Sequence, residues 1–312
     1  MKRFLRFLKW SGIIILALIL GLAIVISLRQ DLSFDAPYPD IHATRDTAVI
    51  ARGRHLVYSM AHCADCHSRT NADSLVSLGE EVPLSGGVAF KLPLGTLYSA
   101  NITSDSVTGI GKYSDPEIAR VLRFGVHPDG AAVYDFMPFH NLCDSDLTAI
   151  ISYLRTQKPV SSPKPENSLN LAGYAVKAFM VKPVGPSETI QASVKPDTTE
   201  EYGKYIVLNV GNCSGCHTQR SISGAYIGEL LAGGNPMENG LVPPNLTPDS
   251  SGRIFYWTEE MFIKRFRMGK LNPKSEMPWN SFKRMTDDEL KAAYKYLKSI
   301  KPVKTELKKT NS

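Results

Sequence analysis

The sequence predicts an all-α protein: one N-terminal transmembrane helix, then two tandem small domains, each of three main helices set in long loops. Three observations lead there. Ser11 to Leu28 is an uncharged apolar run of nearly the length a helix needs to cross a bilayer. The chain beyond it matches itself as two copies of one unit. Each copy carries a CxxCH pentapeptide, Cys63-Ala64-Asp65-Cys66-His67 and Cys213-Ser214-Gly215-Cys216-His217.

Residues 1–30 read as a cytoplasmic tip and an anchor. Lys2, Arg3, Arg6 and Lys9 precede the apolar run and no acidic residue does, so the positive-inside rule leaves the N-terminus in the cytoplasm and exports the rest. A cleaved signal peptide is the alternative. The apolar core is longer than the usual signal region and no small-x-small pattern ends it, so an uncleaved single-pass anchor is expected. Most of the net charge of +6 is this topology signal, and without it nothing supports nucleic-acid binding.

The repeat appears when the exported part is compared with itself. Asn101-Ile102-Thr103-Ser104-Asp105 recurs as Asn245-Leu246-Thr247-Pro248-Asp249, Tyr113-Ser114-Asp115 as Trp257-Thr258-Glu259, and Met137-Pro138-Phe139 as Met277-Pro278-Trp279. Each copy ends in a helical pattern followed by Lys-Pro-Val, at Lys158 and Lys301. This predicts domains over 44–160 and 197–303, a linker rich in Pro, Ser and Lys over 161–196, and a basic tail over 304–312. Within the linker, Leu169 to Met180 is apolar enough to lie against a domain or a partner.

In each copy a helix leads into the CxxCH. Val49, Ile50, Leu56, Val57 and Met60 keep helical spacing in the first, and Thr198 with Glu201 forms a capping-box pattern in the second. The middle helix starts at Ser114 with Glu117, or at Thr258, and stops at Gly125 or Gly269. The last helix runs from about Asp144 to Thr156 and from about Asp287 to Ile300, with Thr286 and Glu289 boxing its start.

CxxCH is the attachment motif of a c-type haem. Two thiols one helical turn apart, Cys63 with Cys66 and Cys213 with Cys216, reach the two vinyl groups of one porphyrin as thioethers. His67 or His217 then lies under the iron as proximal ligand. Zinc sites and dithiol redox sites also use CxxC, but zinc needs further ligands and a redox motif needs no following His. Two covalently attached haems c are therefore expected. Cysteines destined for haem are ligated on the outer face of a bacterial inner membrane, so the haem domains are expected in the periplasm.

The sixth iron ligand decides between electron transfer and chemistry at an open site. Met137 and Met277 stand in matching Met-Pro-aromatic contexts, where the Pro is expected to hold an extended loop. The axial iron ligands predicted are thus His67 with Met137 and His217 with Met277. Met237 and Met285 compete weakly with Met277. His140 faces Asn280 in the other copy, so it reads as a structural His, as do His42, His55, His62 and His127. Cys143, the odd cysteine, falls at the cap where the second copy has Thr286; it is either a reactive thiol or a small side chain tolerated there.

On Cys63, Cys66, His67, Met137, Cys213, Cys216, His217 and Met277, with the Asn-Ile-Thr stretch, Gly109-Ile110-Gly111 and Asp146-Leu147, the chain resembles the membrane-anchored diheme class I cytochromes c. It most resembles the cytochrome c subunits of bacterial alcohol, aldehyde and gluconate dehydrogenases, which often carry a third haem domain where this sequence shows two haem motifs. The resemblance implies the class I cytochrome c fold for both domains, and an aromatic by each haem edge near Tyr113 and Trp257. The function expected is electron transfer without catalytic residues, between a periplasmic or membrane dehydrogenase or quinol-linked donor and another cytochrome or an oxidase. The alternatives are a diheme peroxidase, which needs an open distal site, and a diheme subunit of a terminal oxidase.

Overall fold

The computed structural model describes residues 2–69, 72–221, 224–237 and 239–305; Lys308 and Lys309 of the expected basic tail lie outside them. The fold is helix-rich, with one small sheet. Helix α1, Lys2–Leu28, has no buried residue. Its 27 residues make a rod of about 40 Å at 1.5 Å per residue, enough to cross a ~30 Å hydrocarbon layer.

Helix α2, Thr47–Tyr58, opens on Asp46, whose carboxylate accepts from the Ala48 N–H. It crosses α6, Asp144–Thr156, at Gly53, where a β-carbon would stand 1.9 Å from the Ala149 carbonyl oxygen. The second half repeats this contact. Helix α8, Glu200–Lys204, packs on α12, Asp287–Ser299, and a β-carbon on Gly203 would stand 1.9 Å from the Ala292 carbonyl oxygen. Backbone-to-backbone approach of this kind is open only to glycine. In both halves a tyrosine, Tyr153 or Tyr296, sits beside the glycine.

The predicted caps largely hold. Ser114 and Glu117 box the start of α5, Asp115–Phe124, which Gly125 ends at φ +62°. Thr258 caps α10, Glu259–Arg267, with Gly269 at φ +64° just beyond it. Thr286 and Glu289 box α12. The leading helix of the second half is the exception: Thr199, not Thr198, caps α8. The Thr199 hydroxyl accepts from the Tyr202 N–H at 3.3 Å and donates to Asp197 at 2.6 Å, and that local turn decides which threonine is the cap. Beyond Lys204 the helix widens into a π-helical stretch, Tyr205–Val210, that has no counterpart in α2.

The first half adds a sheet that an all-α expectation omits. Strands β1, Ala89–Leu92, and β2, Gly95–Tyr98, form an antiparallel hairpin, and β3, Ser168–Leu169, pairs antiparallel with β2. Strands this short are too brief for alternation to register. β3 belongs to the expected linker, and so does α7, Leu171–Phe179. Its Gly173 lies against the Leu94 carbonyl, and its cap Asn170 donates to Pro93 O at 2.8 Å. The apolar stretch of the linker thus packs on the first half as a helix.

One continuous buried cluster runs through both halves, joining Leu56, Leu147 and Ile151 to Ile206, Leu290 and Leu297.

Candidate haem-binding sites

The two CxxCH segments form one-turn helices, α3 Cys63–His67 and α9 Cys213–His217. Each follows a residue in the left-handed region, His62 at φ +38° and Asn212 at φ +46°. That residue separates the new helix from the one that ended just before it, at Tyr58 and at Val210. His67 and His217 are buried, and burial holds both imidazoles below their ordinary pKa. Neutral imidazole is the form that offers a lone pair to a metal.

The backbone selects the tautomer. His67 Nδ1 lies 2.7 Å from Ala100 O and His217 Nδ1 lies 2.7 Å from Pro244 O. A carbonyl oxygen only accepts, so Nδ1 carries the proton and Nε2 keeps the lone pair, the arrangement that orients an axial histidine. Those carbonyls immediately precede the repeated Asn-Ile/Leu-Thr motif, and the structure shows what the motif does. Asn101 Oδ1 accepts from the Thr103 N–H at 3.0 Å while its Nδ2 donates to Val160 O at 2.8 Å. Asn245 does the same with Thr247 at 2.8 Å and Val303 O at 2.7 Å. Val160 and Val303 are the valines of the two Lys-Pro-Val repeats, so two motifs distant in sequence are one hydrogen-bonded unit that holds the carbonyl behind each histidine.

The Met-Pro-aromatic segments are tight turns rather than extended loops. Phe139 N donates to Met137 O at 2.9 Å and Trp279 N to Met277 O at 2.7 Å. Pro278, at φ −74° and ψ 58°, has the backbone of an inverse γ-turn. Met137 and Met277 are half-buried against the core.

In the second half the site residues surround a cavity of about 780 Å³, within the range of cofactor pockets. Cys213, Cys216, His217 and Met277 line it, and Leu246, Ile254, Trp257, Phe262 and Phe266 make most of the remaining wall apolar. Met237 and Met285 line it too. Arg220, Arg253 and Arg265 also reach it, and Arg220 Nε is buried with no hydrogen-bond partner among the described residues. An apolar chamber with paired thiols, a lone-pair nitrogen, a thioether and cations suits a haem, which is flat, apolar and carries two carboxylates. Burial pushes the Cys63 and Cys213 thiols up to about 12, so both stay neutral.

The arginines and the carbonyls behind the histidines were not foreseen from sequence; the Asn that follows each carbonyl in the repeat is the signal that marks their position. Nor was the closeness of the two halves. Met60, His62, Asp135 and Phe136 of the first half line the second-half cavity, and Phe282 packs edge-on to His62 at 5.5 Å. Each methionine segment reaches the opposite CxxCH region. Asp135 lies 3.7 Å from Arg220, and Ser281, in α11 (Trp279–Phe282), donates to Asp65 at 3.1 Å.

The remaining candidates have structural roles. His140 is buried between Arg123 O and Asp135, at 3.2 and 3.4 Å. His42 pairs with Asp40 at the surface, and His55 with Glu289. Cys143 is buried at the start of α6; its backbone N–H donates to Tyr205 Oη at 3.3 Å and its Sγ lies 3.2 Å from the same oxygen. A thiol enclosed this way has no access to a partner, so the small-side-chain reading stands.

A covalently held haem at a CxxCH helix, backed by a buried, carbonyl-oriented histidine, defines a c-type cytochrome. Comparison with known proteins agrees. The chain is 30% identical over 215 residues to a diheme cytochrome c-type protein of Cereibacter sphaeroides, covering 65% of this chain and 68% of that one. It is 31% identical over 279 residues to the cytochrome c subunit of the quinone-dependent alcohol dehydrogenase of Gluconobacter oxydans. It is 28% identical over 308 residues to the gluconate 2-dehydrogenase cytochrome c subunit of Pantoea cypripedii. These two alignments cover 83% and 92% of this chain but 56% and 64% of the relatives, so the chain spans little more than half of the dehydrogenase subunits it matches. No family model matches the chain. The protein belongs to the diheme c-type cytochromes.

Proposed function

We propose that this chain is the electron-transfer subunit of a dehydrogenase system, held to the periplasmic face of a bacterial inner membrane by α1. In this reading it carries two covalent haems c in two tandem class I cytochrome c domains, 44–160 and 197–303. Each haem supplies a one-electron couple. Cys63, Cys66, Cys213 and Cys216 tether the haems, His67 and His217 bind iron through Nε2, and Met137 and Met277 complete the coordination with neutral thioethers that favour the ferrous state. The apolar walls exclude water, and Trp257 and Phe266 close the second site around its ligand set.

The observation that carries the proposal is the duplicated geometry: two CxxCH helices, each with its histidine fixed by a carbonyl at 2.7 Å, in a core that runs unbroken between the halves. First-half residues lining the second cavity favour exchange of electrons between the two sites. The names of the relatives point to a dehydrogenase as donor. The test is mass spectrometry of the denatured protein together with purification from native membranes in mild detergent. Two haems retained per chain, in a chain that stays with membranes after a carbonate wash and copurifies with a dehydrogenase, are expected. One haem, or a chain released in soluble form, overturns the corresponding part.

A further inference from the structure

Helix α7 presents apolar side chains outward: Leu171 is 89% exposed, and Tyr174, Phe179 and Met180 are each 42% exposed. Its nine residues include one charge, Lys177. Its opposite side is committed to the first half, since a β-carbon on Gly173 would stand 2.2 Å from Leu94 O and Asn170 is bonded to Pro93 O. The helix is therefore clamped in place, with Leu171 and part of Tyr174, Phe179 and Met180 left open on the outward side.

What lies beside α7 identifies what covers it. Arg29, the first residue after α1, donates from Nε to Ala178 O at 2.9 Å and sets its guanidinium over the Phe179 ring at 5.3 Å. Gln30 donates to Tyr174 O at 3.0 Å. The end of α1 and the length of α7 are thus joined within two residues of Leu28, about 3 Å of helix rise. If α1 spans the bilayer, α7 is held where α1 leaves the hydrocarbon. An apolar helix bearing Tyr and Phe, with Lys177 in its last turn and Lys182 just beyond it, has the composition of a segment lying in the interface.

We infer that α7 lies in the outer-leaflet interface of the membrane that α1 crosses, so that the first half is seated on the lipid surface at two points. The inference rests on the anchored reading of α1. Two contacts, unlike one flexible tether, fix the tilt of the haem domains relative to the bilayer.

The experiment uses the full-length haem-loaded chain in nanodiscs of phosphatidylethanolamine and phosphatidylglycerol. Photoreactive p-benzoylphenylalanine replaces Leu16, Leu171, Phe179 or Tyr256 in turn. Leu171 and Tyr256 are largely exposed, so neither replacement disturbs packing. Tyr256 lies in the second half, and its ring contact among the described residues is with Phe255 rather than with any residue of α7. After irradiation, a mass shift of one phospholipid is expected from positions 16, 171 and 179 and not from 256. Adducts at 16 without adducts at 171 and 179 overturn the interfacial helix and leave the anchor standing. Their absence at 16 overturns the anchor and this inference with it. Lipid adducts at 256 as abundant as at 171 also overturn the inference, because contact would then be indiscriminate.

Discussion

Tyr205 and His55 hold corresponding positions ahead of their CxxCH motifs and reach across the interface to corresponding carboxylates. Tyr205 Oη donates to Asp146 at 2.9 Å, and His55 Nε2 bonds Glu289 at 2.8 Å. Arg52 ties the two together. It pairs with both Asp146 oxygens, at 2.9 and 3.0 Å, and reaches Glu289 at 3.2 Å and Tyr202 at 3.3 Å. Burial opposes its charge, but Asp146, with Tyr202 and Glu289, outweighs burial and raises the Arg52 pKa above its ordinary value. The halves are therefore joined by a reciprocal buried network that fixes one relative orientation, besides the apolar surface they share.

Removing one partner from such a network leaves the others buried and unsatisfied. Glu289→Gln should lower stability by about 2 kcal/mol, the scale of a buried hydrogen bond to a charged group, and Tyr205→Phe by about 1 kcal/mol. Thermal unfolding followed by far-ultraviolet circular dichroism measures both.

The same carboxylate sets a pH dependence. Burial pushes Glu289 up, but the His55 hydrogen bond and charge, the Thr286 N–H and Arg52 outweigh it, so its pKa lies below the ordinary value. A carboxyl with a depressed folded pKa stabilises the fold above its unfolded pKa of about 4.3, and that stability is lost as pH falls through the folded value. Melting temperature should fall as the solution is acidified below about pH 4.3, and Glu289→Gln should flatten part of that acid limb. A variant as acid-sensitive as the parent would show that Glu289 does not contribute.

Gly53→Ala and Gly203→Ala each place a methyl group on a carbonyl oxygen of the crossing helix. Separating the helices should cost about 3 kcal/mol, the upper range of overpacking, and reduce haem retention in the half concerned. Absorbance per chain, set against melting temperature, reads both effects.

Asn101→Ala and Asn245→Ala free the loop whose carbonyl holds His67 or His217, the proposed axial ligand. The haem count should stay unchanged, since the cysteines are untouched, while the reduction potential of one haem shifts and its absorption bands broaden. Redox titration with low-temperature spectroscopy separates this positioning role from a loss of fold.

Met137→His and Met277→His should each lower the potential of one haem, because a nitrogen ligand favours ferric iron more than a thioether does. Each should also remove half of the weak sulfur-to-iron charge-transfer absorption at the red end of the ferric spectrum. A parent protein with a high-spin haem that turns over peroxide rapidly would favour the peroxidase alternative.

Local chemistry made much of this legible in sequence. A cap needs only its own hydroxyl and an N–H three residues on, so the boxes at Ser114 and Thr286 and the stops at Gly125 and Gly269 could be read directly. The CxxCH motifs, the apolar run of α1 and the paired repeats are likewise patterns of neighbouring residues. Thr198 was misplaced by one because Asp197 competes for the turn. The three-stranded sheet escaped because the β1–β2 hairpin is too short for alternation to register and β3 joins β2 from about 70 residues away. The tertiary structure alone decided that the Asn-Ile/Leu-Thr and Lys-Pro-Val repeats are one device, that Cys143 is enclosed, that residues flanking the methionine turns reach the opposite CxxCH region, and that α7 is strapped to the end of α1. Each depends on atoms brought within about 3–4 Å by chain closure, and no spacing within a single segment encodes that proximity.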